Sequence, residues 1–390
     1  MTLARVRLLA AVFLGLLASR ALQAQGWSGI GRIIDGGMRS RLYSAAVVVV
    51  GRRDTVLYSG GFGHLTFSPS TPAPDPGATL FDLASLTKVV ATASSVMVLF
   101  DRGDLELDRP VADYLPRFAG PGKERVTVRM LLNHTSGLPA WFPLYRRTTS
   151  RAEAIDTLYQ IPLKHAPGAM MEYSDLNAIL LGLLVERVTG ESLARFAQEG
   201  VFAPLGMRHA FFMPDIPAYL SVAASRIESG KPRAGVVNDK NAERFGGIAG
   251  HAGLFATGLD LARFAQAWLR EGQTADYSWV TPATVRLFLE HEPQLGARAL
   301  GWEVGLREVP AESAYGSRAT PYTYGHTGWT GTFLWFDPTR DLFLVFLTNR
   351  SLTPTTGRSL RAMRTVRNQV SEAIANLVPP RCVAVAVGAC

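Results

Sequence analysis

The stretch Phe81-Asp82-Leu83-Ala84-Ser85-Leu86-Thr87-Lys88-Val89-Val90-Ala91-Thr92 holds the one S-x-x-K of the chain, Ser85 to Lys88. An apolar run follows it. Val89, Val90, Ala93, Val96, Met97 and Phe100 recur as they would on a largely buried helix from Ser85 to Phe100. With 23 Ser and 5 Lys in 390 residues, chance supplies about 0.3 such tetrapeptides, so its setting matters more than its rarity. At a helix N-terminus, the dipole and the free N–H groups favour a developing negative charge on Ser85. The i, i+3 spacing puts Lys88 on the same face, one turn on. A serine hydroxyl needs an adjacent base, and a neutral lysine can serve. Moving a lysine pKa from about 10.4 to about 7 costs roughly 4–5 kcal/mol, so such a pocket must desolvate it strongly. The plain structural alternative is a capping serine beside a snorkelling lysine.

Outward from this helix, the chain reads as strands at both ends around a helical middle. Upstream, Ile30, Ile33, Ile34 and Met38 recur at helical spacing. The β-branched run Ala45 to Val50, the turn Gly51 to Asp54 and Thr55 to Ser59 predict a hairpin. Ser68 to Pro76 is a Pro-rich loop. Residues 104 to 295 are mostly helical pattern broken by Gly and Pro, most clearly Asp175 to Val188 with Gly190 as terminator. Downstream, Thr332 to Phe336 and Leu342 to Leu347 flank Asp337-Pro338-Thr339-Arg340, a turn. Leu360, Met363, Val366, Val370, Ile374 and Leu377 form one face of a last helix. The expected fold class is α+β, an antiparallel sheet built from both termini and flanked by helices. Its sheet parts are expected at about 27–82 and 296–378, with an all-helical insert at about 83–295.

Composition narrows the function. Hydrophobic residues at 47% and charged residues at 18% exclude a disordered chain, and 390 residues bury a large core without staples. Two cysteines exclude a disulfide scaffold and a Cys-based zinc module. The seven histidines are dispersed without an HExxH, so no metal and no cofactor is expected. GxSxG, GxxxxGK[ST] and GxGxxG are all missing from the sequence, against an α/β-hydrolase elbow or a phosphate cradle. The net charge of +8 is Arg-rich but scattered, with no aromatic-basic stripe, so no nucleic acid is expected as partner.

The first 24 residues contain no acid, begin with Arg5 and Arg7, and carry an apolar run from Leu8 to Ala18 before small residues. That is the pattern of a secretory signal peptide over 1–24, too short for a comfortable membrane span. Its removal lowers the charge to +5, and no later stretch reads as a transmembrane span. The expected location is periplasmic or secreted. The mature unit would run from 25 to 380 and end in a tail, 381–390, where Cys382 and Cys390 either close a small disulfide or stay unpaired.

Two further clusters bear on the serine. Tyr173-Ser174-Asp175 lies in a loop leading into a helix, and His326-Thr327-Gly328 lies beside Trp329 in the strand-rich C-terminal part. A serine acyl-transfer site needs a nucleophile, a second proton carrier and a strand edge whose N–H completes an oxyanion hole. With these in place the chain resembles the serine β-lactamase and D,D-peptidase superfamily, in the branch of class C β-lactamases, D,D-carboxypeptidases, family-VIII-type esterases and D-aminopeptidases. The resemblance spans roughly residues 30 to 375. It runs through FDLASLTKVVAT (81–92), LDRPVADYLP (107–116), LLNHTSGLP (131–139), YSDLNAILLG (173–182), PLGM (204–207), GGIAGHAGLFAT (246–257) and GHTGWTGT (325–332).

The resemblance implies Ser85 as nucleophile, Lys88 as the group that lowers its proton affinity, and Tyr173 as proton shuttle. It implies His326-Thr327-Gly328 in place of the family's Lys-Thr-Gly strand, and an oxyanion hole from the N–H groups of Ser85 and Trp329. The general base is left as Lys88 or Tyr173. Two positions depart from the family's β-lactamases, which usually have Asn where Asp175 stands and Lys where His326 stands. A carboxylate at Asp175 near Lys88 would favour the ammonium and make Tyr173 the better base. A histidine at 326, with a reference pKa of about 6.5, is mostly neutral at pH 7 and a weaker partner for a substrate carboxylate. That tilts the expectation away from β-lactams and toward esters or amides without the carboxylate. His134 and His251 read as loop-stabilising hydrogen-bonders, and Asn238, Asp239, Trp141, Phe142 and Trp302 as cleft or packing residues.

The expected function is therefore an exported serine hydrolase acting through an acyl-enzyme on a small ester, amide or peptidoglycan-derived substrate. The alternative is a penicillin- or muropeptide-binding protein that is acylated without turnover. The oligomeric state is left open.

Overall fold

The computed structural model describes residues 26–212, 217, 219–292, 296, 298–305 and 315–380. The expected signal segment and the two tail cysteines lie outside them. The first helix, 26–39, carries Ile30 and Ile34 inward. The predicted hairpin forms as Ala45–Arg52 paired antiparallel with Thr55–Gly63. Ala45–Arg52 also pairs antiparallel with Leu342–Thr348, nearly 300 residues away, in the register Val48 to Phe346. The main sheet has six strands, in the order Thr55–Gly63, Ala45–Arg52, Leu342–Thr348, Phe333–Asp337, Tyr324–Thr327 and Glu303–Val304. Both ends of the chain thus build one antiparallel sheet, and the class is α+β.

The two middle strands read as unbroken apolar runs because both of their faces are covered. Successive side chains alternate between two cores. Ala46, Val48, Val50, Trp335, Leu344 and Phe346 face the first helix and the C-terminal helix Gly357–Leu377. Val47, Val49, Leu334, Phe336, Val345 and Leu347 face the larger core under the helical block. Trp302 lies wholly buried there, edge-on to Trp268, Tyr324 and Phe336, so it packs and does not line the cleft. Phe142 packs against the same core.

Thr79–Asp82 departs from the expected sheet segment 27–82. It pairs with Leu254–Ala256 and Ser221–Val222 in a second, four-stranded sheet completed by Phe211–Phe212. After the Pro-rich loop the chain has crossed to the helical block, and these short strands find partners only there. The small sheet sets the position of the residues that enter the Ser85 helix.

That helix runs from Ala84 to Asp101. It is a 3₁₀ turn over Ala84–Leu86, a π-helical segment over Lys88–Ala93 and an α-helix over Ser94–Asp101. Among the described residues it is one helix long and apolar enough to cross a membrane, with mean hydropathy 1.3. The sequence reading counted no such stretch after residue 24. The protein itself buries 83% of the segment, as it does any core helix.

Candidate active site

The first contact bridges the 3₁₀ turn Ala84–Leu86 and the start of the π-helical segment at Lys88. Three residues apart, the two side chains meet on one face, and Lys88 Nζ donates to Ser85 Oγ at 2.9 Å. Ser85 is the second residue of its helix, where a backbone N–H has no intrahelical acceptor. The residue before it, Ala84, has φ +47°, in the left-handed region that a residue with a Cβ enters at a cost of about 1–3 kcal/mol. Asp82 holds it there. Its Oδ1 accepts the Ala84 N–H at 2.8 Å, and its Oδ2 accepts the Asn238 N–H at 2.6 Å.

Tyr173 and Asp175 come from the start of the helix Asp175–Thr189, which Ser174 caps by accepting the Leu176 N–H at 3.2 Å. Asp175 Oδ1 lies 2.7 Å from Lys88 Nζ. Burial disfavours the Lys88 ammonium, but the Asp175 carboxylate and then Tyr173 outweigh it and raise the pKa above the ordinary lysine value. Lys88 is thus held as a cation. Its Nζ lies 5.0 Å from the centroid of the Tyr173 ring and 3.4 Å from the His251 carbonyl oxygen, to which it donates.

His326 sits on the strand Tyr324–Thr327, opposite Leu334. Its ring centroid is 5.8 Å from that of Tyr173. Burial, then the charges of Arg298 and Lys88, then His134 push its pKa well below 6.5, further in the direction expected of a neutral imidazole. Gly328 has to be glycine. A Cβ there would stand 2.0 Å from Thr332 Oγ1 and 2.6 Å from the Leu83 carbonyl. Thr332 and Thr330 donate to the Leu83 and Asp82 carbonyls at 2.9 and 2.7 Å, fastening this turn to the entrance of the Ser85 helix. Trp329 is half exposed, and so is Trp141.

The structure gathers Ser85, Lys88, Tyr173, Asp175 and His326 by direct contact or by tilted neighbouring rings, and sets Thr327, Gly328 and Trp329 beside them. His134 and His251 make the expected hydrogen bonds. His134 Nδ1 accepts the Ser174 N–H at 3.2 Å, and its ring lies 4.6 Å from that of Tyr173. His251 Nε2 lies 2.9 Å from Asp239 Oδ1. Burial works against the Asp239 carboxylate, but His251, the Ala242 N–H and Lys88 outweigh it and hold its pKa at about 2. Asp175, Asp239 and His251 bring ligand atoms within 4.8 Å of one another. The Lys88 ammonium already supplies the positive charge that a metal ion would bring to Asp175.

Sequence reasoning missed Arg298 and Asp82. The Arg298 guanidinium carbon lies 4.8 Å over the Tyr173 ring, on a bridge outside any motif. Asp82 was in plain view within FDLASLTK, but its burial was not. Burial pushes its pKa up to about 6, against two backbone N–H bonds that lower it. Protonation below about pH 6 removes one acceptor lone pair and loosens Ala84 or Asn238. The expected result is an acidic limb near pH 6 in ester turnover by the wild type. Asp82→Asn should lose that limb and run slower throughout, because an unpaired buried N–H costs about 1–3 kcal/mol. Superimposable pH–rate profiles for the two proteins would count against this.

A half-buried serine hydrogen-bonded to a buried lysine at the head of a core helix, a tyrosine and a histidine-bearing strand make the chemistry of acyl transfer available. The family described as Beta-lactamase matches residues 30–366, and the chain belongs to that family of serine hydrolases. A candidate D-alanyl-D-alanine carboxypeptidase of Escherichia coli (strain K12) is 32% identical over 314 residues, covering 73% of this chain and 72% of that protein. One of Salmonella enteritidis PT4 is 30% identical over 307 residues, covering 71% and 70%. In fold, the chain is similar to a class C β-lactamase, with TM-score 0.72, 19% identity and coverage of 92% and 98%. It is also similar to EstCE1, described as a hydrolase with promiscuous acyltransferase activity, with TM-score 0.71, 21% identity and coverage of 89% and 100%.

Proposed function

We propose that the protein is an exported acyl-serine hydrolase that cleaves amide or ester substrates bearing a terminal carboxylate, with D-alanyl-D-alanine-type peptides as the leading class. The observation that carries the acyl-enzyme is the Lys88 Nζ placed 2.9 Å from Ser85 Oγ and 2.7 Å from Asp175. With Lys88 held as an ammonium, Tyr173 is the base. Its phenolate takes the Ser85 proton as Oγ bonds to the carbonyl carbon. The oxyanion is received by the N–H groups of Ser85 and Trp329. Tyr173 then gives the proton to the leaving amine or alcohol, and water releases the acyl group by the reverse path. Export rests on the basic and apolar pattern of residues 1–24.

The carboxylate preference revises the expectation drawn from His326 alone. Arg298 supplies the cation that His326 does not. It stands over Tyr173; its Nη2 pairs with Glu303 at 3.3 Å, and its Nη1 is buried without a hydrogen-bond partner among the described residues. The names carried by the relatives at 32% and 30% identity point to the same substrate class.

The test is a panel of D-Ala-D-Ala peptides, D-amino-acid amides, p-nitrophenyl esters and a cephalosporin. Mass spectrometry of Ser85 accompanies it. Turnover of the peptides supports the reading, whereas a stable acyl adduct without turnover favours a binding protein. A charge-assisted hydrogen bond is worth about 1.5–3 kcal/mol, or about 10- to 100-fold. Arg298→Met should lower kcat/KM by that factor for peptides with a free carboxylate and leave neutral esters within about twofold. Equal losses on both would remove Arg298 from carboxylate recognition.

A further inference from the structure

The turn Gly328–Thr332 is held from beneath by two arginines on other elements. Arg367, from the C-terminal helix, donates through Nη2 to the Gly328 carbonyl at 2.9 Å and to the Thr332 carbonyl at 3.0 Å. Arg350, at the exit of the strand Leu342–Thr348, donates through Nε to the Trp329 carbonyl at 2.7 Å. Its guanidinium carbon lies 4.8 Å over the Trp329 ring. The Thr330 carbonyl accepts the Arg350 N–H at 2.8 Å and Thr348 Oγ1 at 3.0 Å. These four carbonyls are thus engaged, while the Trp329 N–H donates to no described residue.

Neither arginine forms an ion pair among the described residues. Arg350 is buried, and both of its terminal nitrogens lack an acceptor there, as does Arg367 Nε. Burial and the neighbouring Arg350 push the Arg367 pKa down to about 9, which leaves it charged at neutral pH. Two positive charges therefore lie under the turn with no ion pair among the described residues, and the Glu303 carboxylate favours the Arg367 charge only through space.

We propose that Arg367 is a positioning residue that acts on the reaction through the Gly328–Trp329 peptide, drawing electron density onto its carbonyl and sharpening its N–H as a donor to the oxyanion. The carbonyl oxygen and the N–H belong to one planar, conjugated unit. A charged donor on the oxygen is about twice as strong as a neutral one, and linked hydrogen bonds strengthen one another by about 10–30%. Arg350 fixes the next carbonyl, so the peptide on the other side of Trp329 is held as well. The oxyanion adds a negative charge on the far side of this peptide, and it exists only as the tetrahedral intermediate forms. The proposal rests on the acyl-enzyme reading above, in which Trp329 N–H faces the oxyanion.

The test uses Arg367→Met and Arg367→Gln, the second keeping a neutral donor in place should the first fail to fold. The carbonyl stretch of the acyl-enzyme, read by isotope-edited infrared difference, reports the strength of the oxyanion hole. Removing an oxyanion donor outright costs about 10²–10³ in kcat, so weakening one should cost about 10-fold. Both folded variants should show that fall in kcat, KM within about twofold, and a carbonyl band shifted to higher wavenumber. An unshifted band, with or without loss of kcat, reduces Arg367 to a structural part and overturns the proposal. A wild type in which mass spectrometry finds no acyl group on Ser85 overturns the acyl-enzyme reading, and the inference falls with it.

Discussion

Ser85→Ala is expected to lower turnover of esters and peptides by about 10⁶, the scale on which a serine hydrolase fails when its nucleophile is removed. The size follows from the absence of a substitute. The neighbouring hydroxyls are committed elsewhere: Ser136 to Asn177 at 2.6 Å, Thr330 and Thr332 to the Asp82 and Leu83 carbonyls. Removing Oγ also leaves Lys88 bound to Asp175, so the fold and the charge pair persist. The checks are kcat with a p-nitrophenyl ester, mass spectrometry of the Ser85 peptide, and an unchanged melting temperature. A residual rate above about 10⁻³ of wild type would assign the chemistry to another group.

Tyr173→Phe is expected to cost about 10²–10⁴ in kcat, the usual contribution of a positioned acid or base. Phenylalanine preserves the ring that packs between His134, His326, Lys88 and Arg298, so the loss reports the hydroxyl. Asp175→Asn decides which group is the base. In the wild type Asp175 raises the Lys88 pKa, so the ammonium survives past the ordinary lysine range. If Tyr173 is the base, losing Asp175 lets the ammonium deprotonate at lower pH, and the alkaline limb of the profile moves down. If neutral Lys88 were the base, the same substitution would instead shift the acidic limb down and raise activity at neutral pH. A modest loss in Tyr173→Phe, below tenfold, together with that second shift, would return the role to Lys88.

Much of this arrangement is legible in the order of residues, for physical reasons that vary along the chain. Ser85 and Lys88 stand three apart, and local geometry alone brings them together. The hairpin at 45–63 and the helix ending at Gly190 follow from turn chemistry and periodicity, both short-range signals. His326 and Tyr173 were reached through the resemblance to a family, since nothing local ties them to residue 85. Arg298, Arg350 and Arg367 carry no motif. Each matters because of a partner 21 to 125 residues distant, and spacing along the chain says nothing of such partners. Thr79–Asp82 went to the wrong sheet for the same reason. A four-residue strand has too little pattern to declare its neighbour.

The pairing of Ala45–Arg52 with Leu342–Thr348 has a consequence in time. Asn349 seals that joint, accepting the Ser44 and Ala45 N–H groups at 3.0 and 2.9 Å and donating to Ser44 Oγ and the Leu65 carbonyl. A growing or translocating chain must therefore hold its first strands unfinished until roughly its last tenth is available, and contacts of such long span are slow to form. The hydroxyl, the lysine and the tyrosine are all made early. The strand bearing His326 and the two arginines under Trp329 arrive late. A partly made chain is thus a dormant one, because its site is complete only once the sheet can close.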